Sequence, residues 1–97
     1  MAEAAPAPQR YKDMTQPERA ALRALYVTAQ DGLCHHCGTR LDGPPAPAIS
    51  EKRINWKLFP PNFTRYPVHL HHSHKTDLTI GAVHSLCNAV LWQYHGE

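Results

Sequence analysis

The stretch that decides the fold is Val68–Asn88, VHLHHSHKTDLTIGAVHSLCN. It concentrates five histidines, a cysteine and an asparagine in a segment that reads as strand, loop, strand and helix start. Two metal chemistries, one structural and one catalytic, can meet in such a segment. The structural one begins upstream, where Cys34 and Cys37 form a C-x2-C pair whose tight turn points two thiolates at one ion. His84 and Cys87 repeat the same two-residue spacer, so the four residues make a Cys3His set suited to tetrahedral zinc and use every cysteine of the chain. The competing reading is a redox CxxC beside a Cys87 packed as a small apolar residue. A redox pair would need a thioredoxin-like βαβ setting, which this short chain lacks.

The catalytic chemistry rests on His71-His72-Ser73-His74. Successive side chains of a strand face opposite ways, so His72 and His74 share a side while His71 serves another task. That division suits metal-assisted phosphodiester hydrolysis, in which one residue ligates a cation and a neighbouring neutral imidazole takes a proton from water. Asn88, beside Cys87 at the start of the last helix, offers a carbonyl oxygen to a hard cation. The bland alternative is a histidine-rich surface strand with adventitious metal affinity.

The combination of histidine strand, Lys75-Thr76 loop and Gly81-Ala82-Val83-His84-Ser85-Leu86-Cys87-Asn88 resembles the HNH endonucleases, also called ββα-metal or His-Me finger nucleases. The likeness is strongest to the recombination endonuclease VII branch and phage HNH proteins, which carry CxxC, then D-H-x-H-K-T-G, then R-G-x-x-C-x-x-C-N. It spans roughly Gly32 to Tyr94. The resemblance implies Cys34, Cys37, His84 and Cys87 as structural zinc ligands, with histidine at the branch's third cysteine. It implies His71 and Asn88 as ligands of a catalytic Mg²⁺ or Mn²⁺, His72 as general base, and His74 as the further histidine of the strand. The chain departs from the pattern at Asp77, which replaces the turn glycine, at Ile80, which replaces an arginine, and at Trp92, where relatives often carry another acid or histidine.

Around this centre, 97 residues make one small domain that needs a staple, and nine prolines with two phenylalanines point the same way. Cysteines in metal spacing fit a reducing cytosol, and no apolar run approaches the roughly 20 residues of a membrane span. A basic-then-apolar secretion signal is also missing, so the expected location is cytoplasmic, the host cytoplasm for a phage-encoded chain. Residues 1–14 read as a disordered arm and 15–97 as the nuclease domain, with an insertion at 44–67. Thr15 and Glu18 form a capping box, Pro17 fits the first turn, and Leu22, Leu25, Tyr26 and Ala29 give a helix over about 16–30 that Gly32 ends. Arg19 and Arg23 lie off its apolar stripe, either gripping phosphate or simply solvated. His35 and His36 inside the first zinc turn are alternatives to His84, and His95 sits too far along the last helix to ligate with Asn88.

The insertion is informative in charge. From Lys52 to Lys75 there are five basic residues and no acid, against a net +2 for the whole chain. Lys52, Arg53, Trp56, Lys57, Arg65 and Lys75 are therefore the candidate DNA-binding residues, the cations drawing the phosphate backbone and Trp56 stacking or packing in the core. Ile54, Trp56 and Leu58 alternate as a short strand would. Return strand Ile80–His84 and a helix from Cys87 to about His95 complete an α+β fold. The expected activity is DNA endonuclease, nicking by default, on double-stranded or branched DNA, by a monomer or weak dimer that serves packaging or recombination proteins. The alternatives are a zinc-stabilised nucleic-acid-binding module without turnover, and an adaptor for a larger phage or host assembly.

Overall fold

The protein, seen in a computed structural model that describes residues 5–96, is built on one antiparallel hairpin of β1 (Val68–His72) and β2 (Thr79–His84). Pairing runs from Val68↔His84 to His71↔Gly81, and then a bulge shifts His72 opposite Thr79. Such a bulge re-aims the side chains that follow it. Within the connecting loop the Ser73 hydroxyl accepts the Lys75 and Thr76 N–H groups, and Asp77 takes φ +63°. An aspartate can adopt that left-handed position, and the Asp77 carboxylate here accepts the Lys12 N–H at 3.0 Å.

Three helices pack around the hairpin: α1 (Gln16–Ala29), the single turn α2 (Pro47–Ser50), and α3 (Ser85–His95). The Thr15–Glu18 capping box starts α1, with Glu18 N–H donating to Thr15 Oγ1 at 3.3 Å and Thr15 N–H to Glu18 Oε1 at 2.9 Å. Leu22 and Tyr26 carry its apolar face into a core with Leu70, Ala82, Val83, Cys87 and Val90. Leu25 stays 55% exposed, so the buried stripe is narrower than its spacing implied. Asp31 and Gly32, both at positive φ, turn the chain out of α1. Helix α3 begins at Ser85, two residues before the expected Cys87, because Ser85 N–H donates to the Pro67 carbonyl at 2.9 Å and carries β2 straight into it.

Two expectations need correction. Residues 1–4 of the expected disordered arm lie outside the described residues, but residues 9–14 are docked. Gln9 and Thr79 exchange hydrogen bonds, Tyr11 N–H donates to the Asp77 carbonyl at 2.8 Å, and Met14 is buried. An Ala/Pro-rich run gives no periodicity to read, whereas the unpaired outer edge of β2 gives this backbone a partner. The supposed strand at Ile54–Leu58 is instead a 3-10 turn, Trp56–Leu58, capped by the Asn55 side chain accepting the Lys57 N–H. That local bond competes with a strand that has no neighbour to pair with. Elsewhere β2's outer edge is closed by Gln30, whose amide accepts from Ala82 N–H and donates to the Ala82 carbonyl, both at 2.9 Å.

Among the described residues no helix is long and apolar enough to cross a membrane.

Candidate functional site

The Cys3His set converges. The Cys34–Cys37 turn closes through Gly38, at φ +81°, whose N–H donates to the Cys34 carbonyl at 3.0 Å. The His36 and Cys37 N–H groups then point at Cys34 Sγ at 3.4 and 3.5 Å. From β2 and the first turn of α3, His84 Nδ1 lies 3.4 Å from Cys37 Sγ and 3.6 Å from Cys87 Sγ. With zinc bonds of about 2.3 Å to sulfur and 2.0–2.1 Å to nitrogen, the N···S edge of a tetrahedron is about 3.5 Å, so these spacings fit. All four ligand atoms lie within 4.8 Å of one another. His84 Nε2 sits 2.8 Å from the Arg40 carbonyl, which fixes Nε2 as the protonated nitrogen and turns the Nδ1 lone pair to the sulfurs. The four residues can thus hold a metal ion such as zinc.

Electrostatics within the cluster favour that role. A hydrogen bond from Cys87, aided by backbone N–H groups and opposed by burial, holds the Cys34 thiol down to about 3. The same contact pushes the Cys87 thiol up, with burial adding to it. Of the two alternatives to His84, neither His35 nor His36 is in the cluster. The His35 ring lies over Gly81, where a Cβ would stand 3.0 Å from His35 Cγ and 2.8 Å from Gln30 Oε1.

The histidine strand forms a second constellation. His71 Nδ1 lies 3.3 Å from Asn88 Oδ1, and the Asn88 amide donates to His69 Nδ1 at 3.1 Å. Asn88 therefore bridges two histidines that alternate on one side of β1. His69 had no role in the sequence reading, although its spacing of two from His71 was the available signal. His71 is buried at 4% exposure, beneath Asn88. Beyond the bulge, the His72 ring stacks on Tyr11 at 3.9 Å and 10°, and stands 5.0 Å from the His74 ring, which in turn meets Trp92 at 4.8 Å. Burial first, then the neighbouring His74, holds His72 below its ordinary 6.5, with Asp77 opposing. Burial does the same to His69.

His69, His72, His74 and Asn88 line one cleft of about 680 Å³ between α1, β1, α3 and the 58–66 segment. Arg19 and Arg23 line it too, and among the described residues no aspartate or glutamate does. Arg19 is also tied to the docked arm, donating to the Tyr11 carbonyl at 2.8 and 3.1 Å and lying 3.8 Å over its ring. None of Lys52, Arg53, Trp56, Lys57, Arg65 and Lys75 lines the cleft. Lys52 and Arg65 lie over the Tyr94 and Tyr66 rings, the Arg53 carbonyl accepts from Tyr94 and Gln93, and Trp56, 47% exposed, packs on Phe59 rather than in the core. The His95 ring is 6.4 Å from the His36 ring of the Cys34–Cys37 turn.

Compared with protein-family models, with curated proteins and with solved structures, the chain matches none of them.

Proposed function

We propose that the protein is a metal-dependent endonuclease of the ββα-metal type, hydrolysing nucleic-acid phosphodiesters in the cleft between α1 and α3. One observation carries the reading: His72, whose affinity for a proton burial lowers, opens onto an acid-free cleft that also holds two guanidiniums, His74 and the Asn88 amide. His72 then accepts the proton of the attacking water, and the neutral form it needs is favoured by burial. His74, 5.0 Å from the base, and Arg19 and Arg23 hold phosphate oxygens. The products carry 5′-phosphate and 3′-hydroxyl ends.

For this reading the catalytic divalent cation would be held by His71, buried and outside the cleft lining, and by Asn88, which lines the cleft. With His71 Nδ1 deprotonated, it and Asn88 Oδ1 present lone pairs 3.3 Å apart, against about 3 Å for adjacent donors on an octahedral ion with bonds of about 2.1 Å. Bound there, such an ion would polarise the scissile phosphate and stabilise the leaving oxygen. An imidazole and an amide without carboxylate suit Mn²⁺, Co²⁺ or Ni²⁺ better than Mg²⁺.

The test is supercoiled-plasmid nicking with each of these ions. Cleavage by the wild type and its loss in His72→Ala support the reading, and no cleavage with any ion refutes it. A second reading, a nucleic-acid-binding module without turnover, draws on the deep burial of His71 and the lack of acidic ligands. It predicts binding that His72→Ala leaves intact and no cut product under any condition.

A further inference from the structure

The cleft's volume and lining go beyond a general affinity for phosphate. At about 680 Å³ it falls in the range of roughly 300–1,000 Å³ typical of small-ligand pockets, room for one or two nucleotides. One wall is cationic. Arg19 and Arg23 stand one turn apart on α1, about 6 Å along its axis. Arg23 is half-buried and, among the described residues, makes no ion pair or hydrogen bond, so its charge is uncommitted. The other wall is aromatic. Phe59 and Phe63 meet at 4.7 Å, Phe63 abuts His69 at 4.8 Å, and Trp92 and Tyr66 present rings that are 42% and 65% exposed. Large aromatics are left half in water at the mouth of an acid-free cleft, although burying them would be worth about 25 cal/mol per Å².

We infer that the cleft takes an unpaired nucleic-acid strand, its bases stacked on Trp92 and the Phe63–Tyr66 wall and its phosphates on Arg23 and Arg19. Aromatic platforms facing a cationic track are how single strands are held without sequence readout, because every base has a π-face. In a duplex those faces are already stacked and hidden. The substrate class is thus an unpaired, single-stranded or frayed segment rather than continuous duplex. This rests on the reading of the cleft as a phosphodiester site.

The test is fluorescence anisotropy of the whole, zinc-loaded chain with a labelled strand of about 12 nucleotides, then with the same strand in a blunt duplex. No further divalent ion is added, so binding is read without cleavage. The strand is expected to bind at least about tenfold more tightly than the duplex, and Arg23→Gln and Trp92→Leu each to weaken it roughly tenfold. Trp92→Phe, which keeps a ring, restores most of the affinity and separates stacking from any loss of fold. Equal affinity for duplex and strand overturns the inference, as does wild-type affinity in both Arg23→Gln and Trp92→Leu. Strand binding without cleavage under any ion sinks the nuclease reading alone. Duplex cleavage that Arg23→Gln leaves unchanged sinks the unpaired-strand inference alone.

Discussion

The Cys3His cluster and the histidine cleft are neighbours supplied by the same turn of α3, yet they are built on opposite rules. Cys87 and Asn88 are adjacent, and adjacent helical residues point about 100° apart, so one joins the cluster and the other reaches β1. On the cluster side, four donors from distant segments converge, their geometry set by backbone N–H groups and the Arg40 carbonyl, with Cys34, His84 and Cys87 almost fully buried. On the cleft side, the only metal donors proposed are one imidazole, His71, which is buried, and one amide, Asn88, which lines the open cationic cleft. A full buried donor set makes an ion part of the fold. A partial one beside open space makes it exchangeable.

The sharpest way to break this contrast is to remove the cluster. Structural zinc contributes about 10–16 kcal/mol in small zinc modules, against a total stability of about 5–15 kcal/mol for a domain. Cys34→Ser, or a strong chelator, is therefore expected to abolish the cooperative thermal transition seen by circular dichroism, and metal analysis to find one tightly held zinc per wild-type chain. A variant that melts as the wild type does would show that the cluster is not structural.

On the cleft side, His72→Ala is expected to lower nicking by about 10²–10⁴-fold while leaving metal content unchanged and lowering the melting temperature only by the few degrees that loss of the Tyr11 stack costs. The pH profile sharpens the assignment. A base held below 6.5 stays neutral at pH 7, so cleavage should be flat there and fall only as pH drops below that value. The sign for stability is the same: the unfolded chain takes up its proton first, so the contribution of His72 is present above about 6.5 and is lost as pH falls through the lower folded value. A rate that rises on acidification would remove His72 from the role of base.

Gly81→Ala probes where the two regions meet. A Cβ there would crowd His35 and Gln30, whose amide is already committed to β2, so a loss of about 1–3 kcal/mol is expected in chemical denaturation. The smallest effect belongs to Tyr11→Ala. Loss of the His72 stack should cost about 0.5–1.5 kcal/mol, a fall of several degrees in melting temperature for a domain of this size. An unchanged melt would mean that the arm is not held through this ring.

Much of the cluster was readable from spacing. Two C-x2-C-like pairs, one closing with histidine, name the four ligands because a tight turn leaves little choice about where residues three apart can point. The α1 cap and the hairpin were equally legible, since capping and strand alternation are written within a few residues. Lys52–Lys75, by contrast, led to a basic surface that does not line the cleft, because a run of charge says nothing about the direction in which its loop folds.

The sequence by itself determined which residues can ligate a metal, where α1 begins and that two strands form a hairpin. Each of these depends on covalent spacing and on hydrogen bonds between near neighbours. Only the tertiary structure decided that Tyr11 covers His72, that His69 and His71 share Asn88, and that Arg19 and Arg23 face the histidines. Those contacts follow from the angle at which α1 and the arm dock on the sheet. That angle is set by the summed burial of Leu22, Tyr26, Leu70 and Val83, and no short stretch of the chain encodes it.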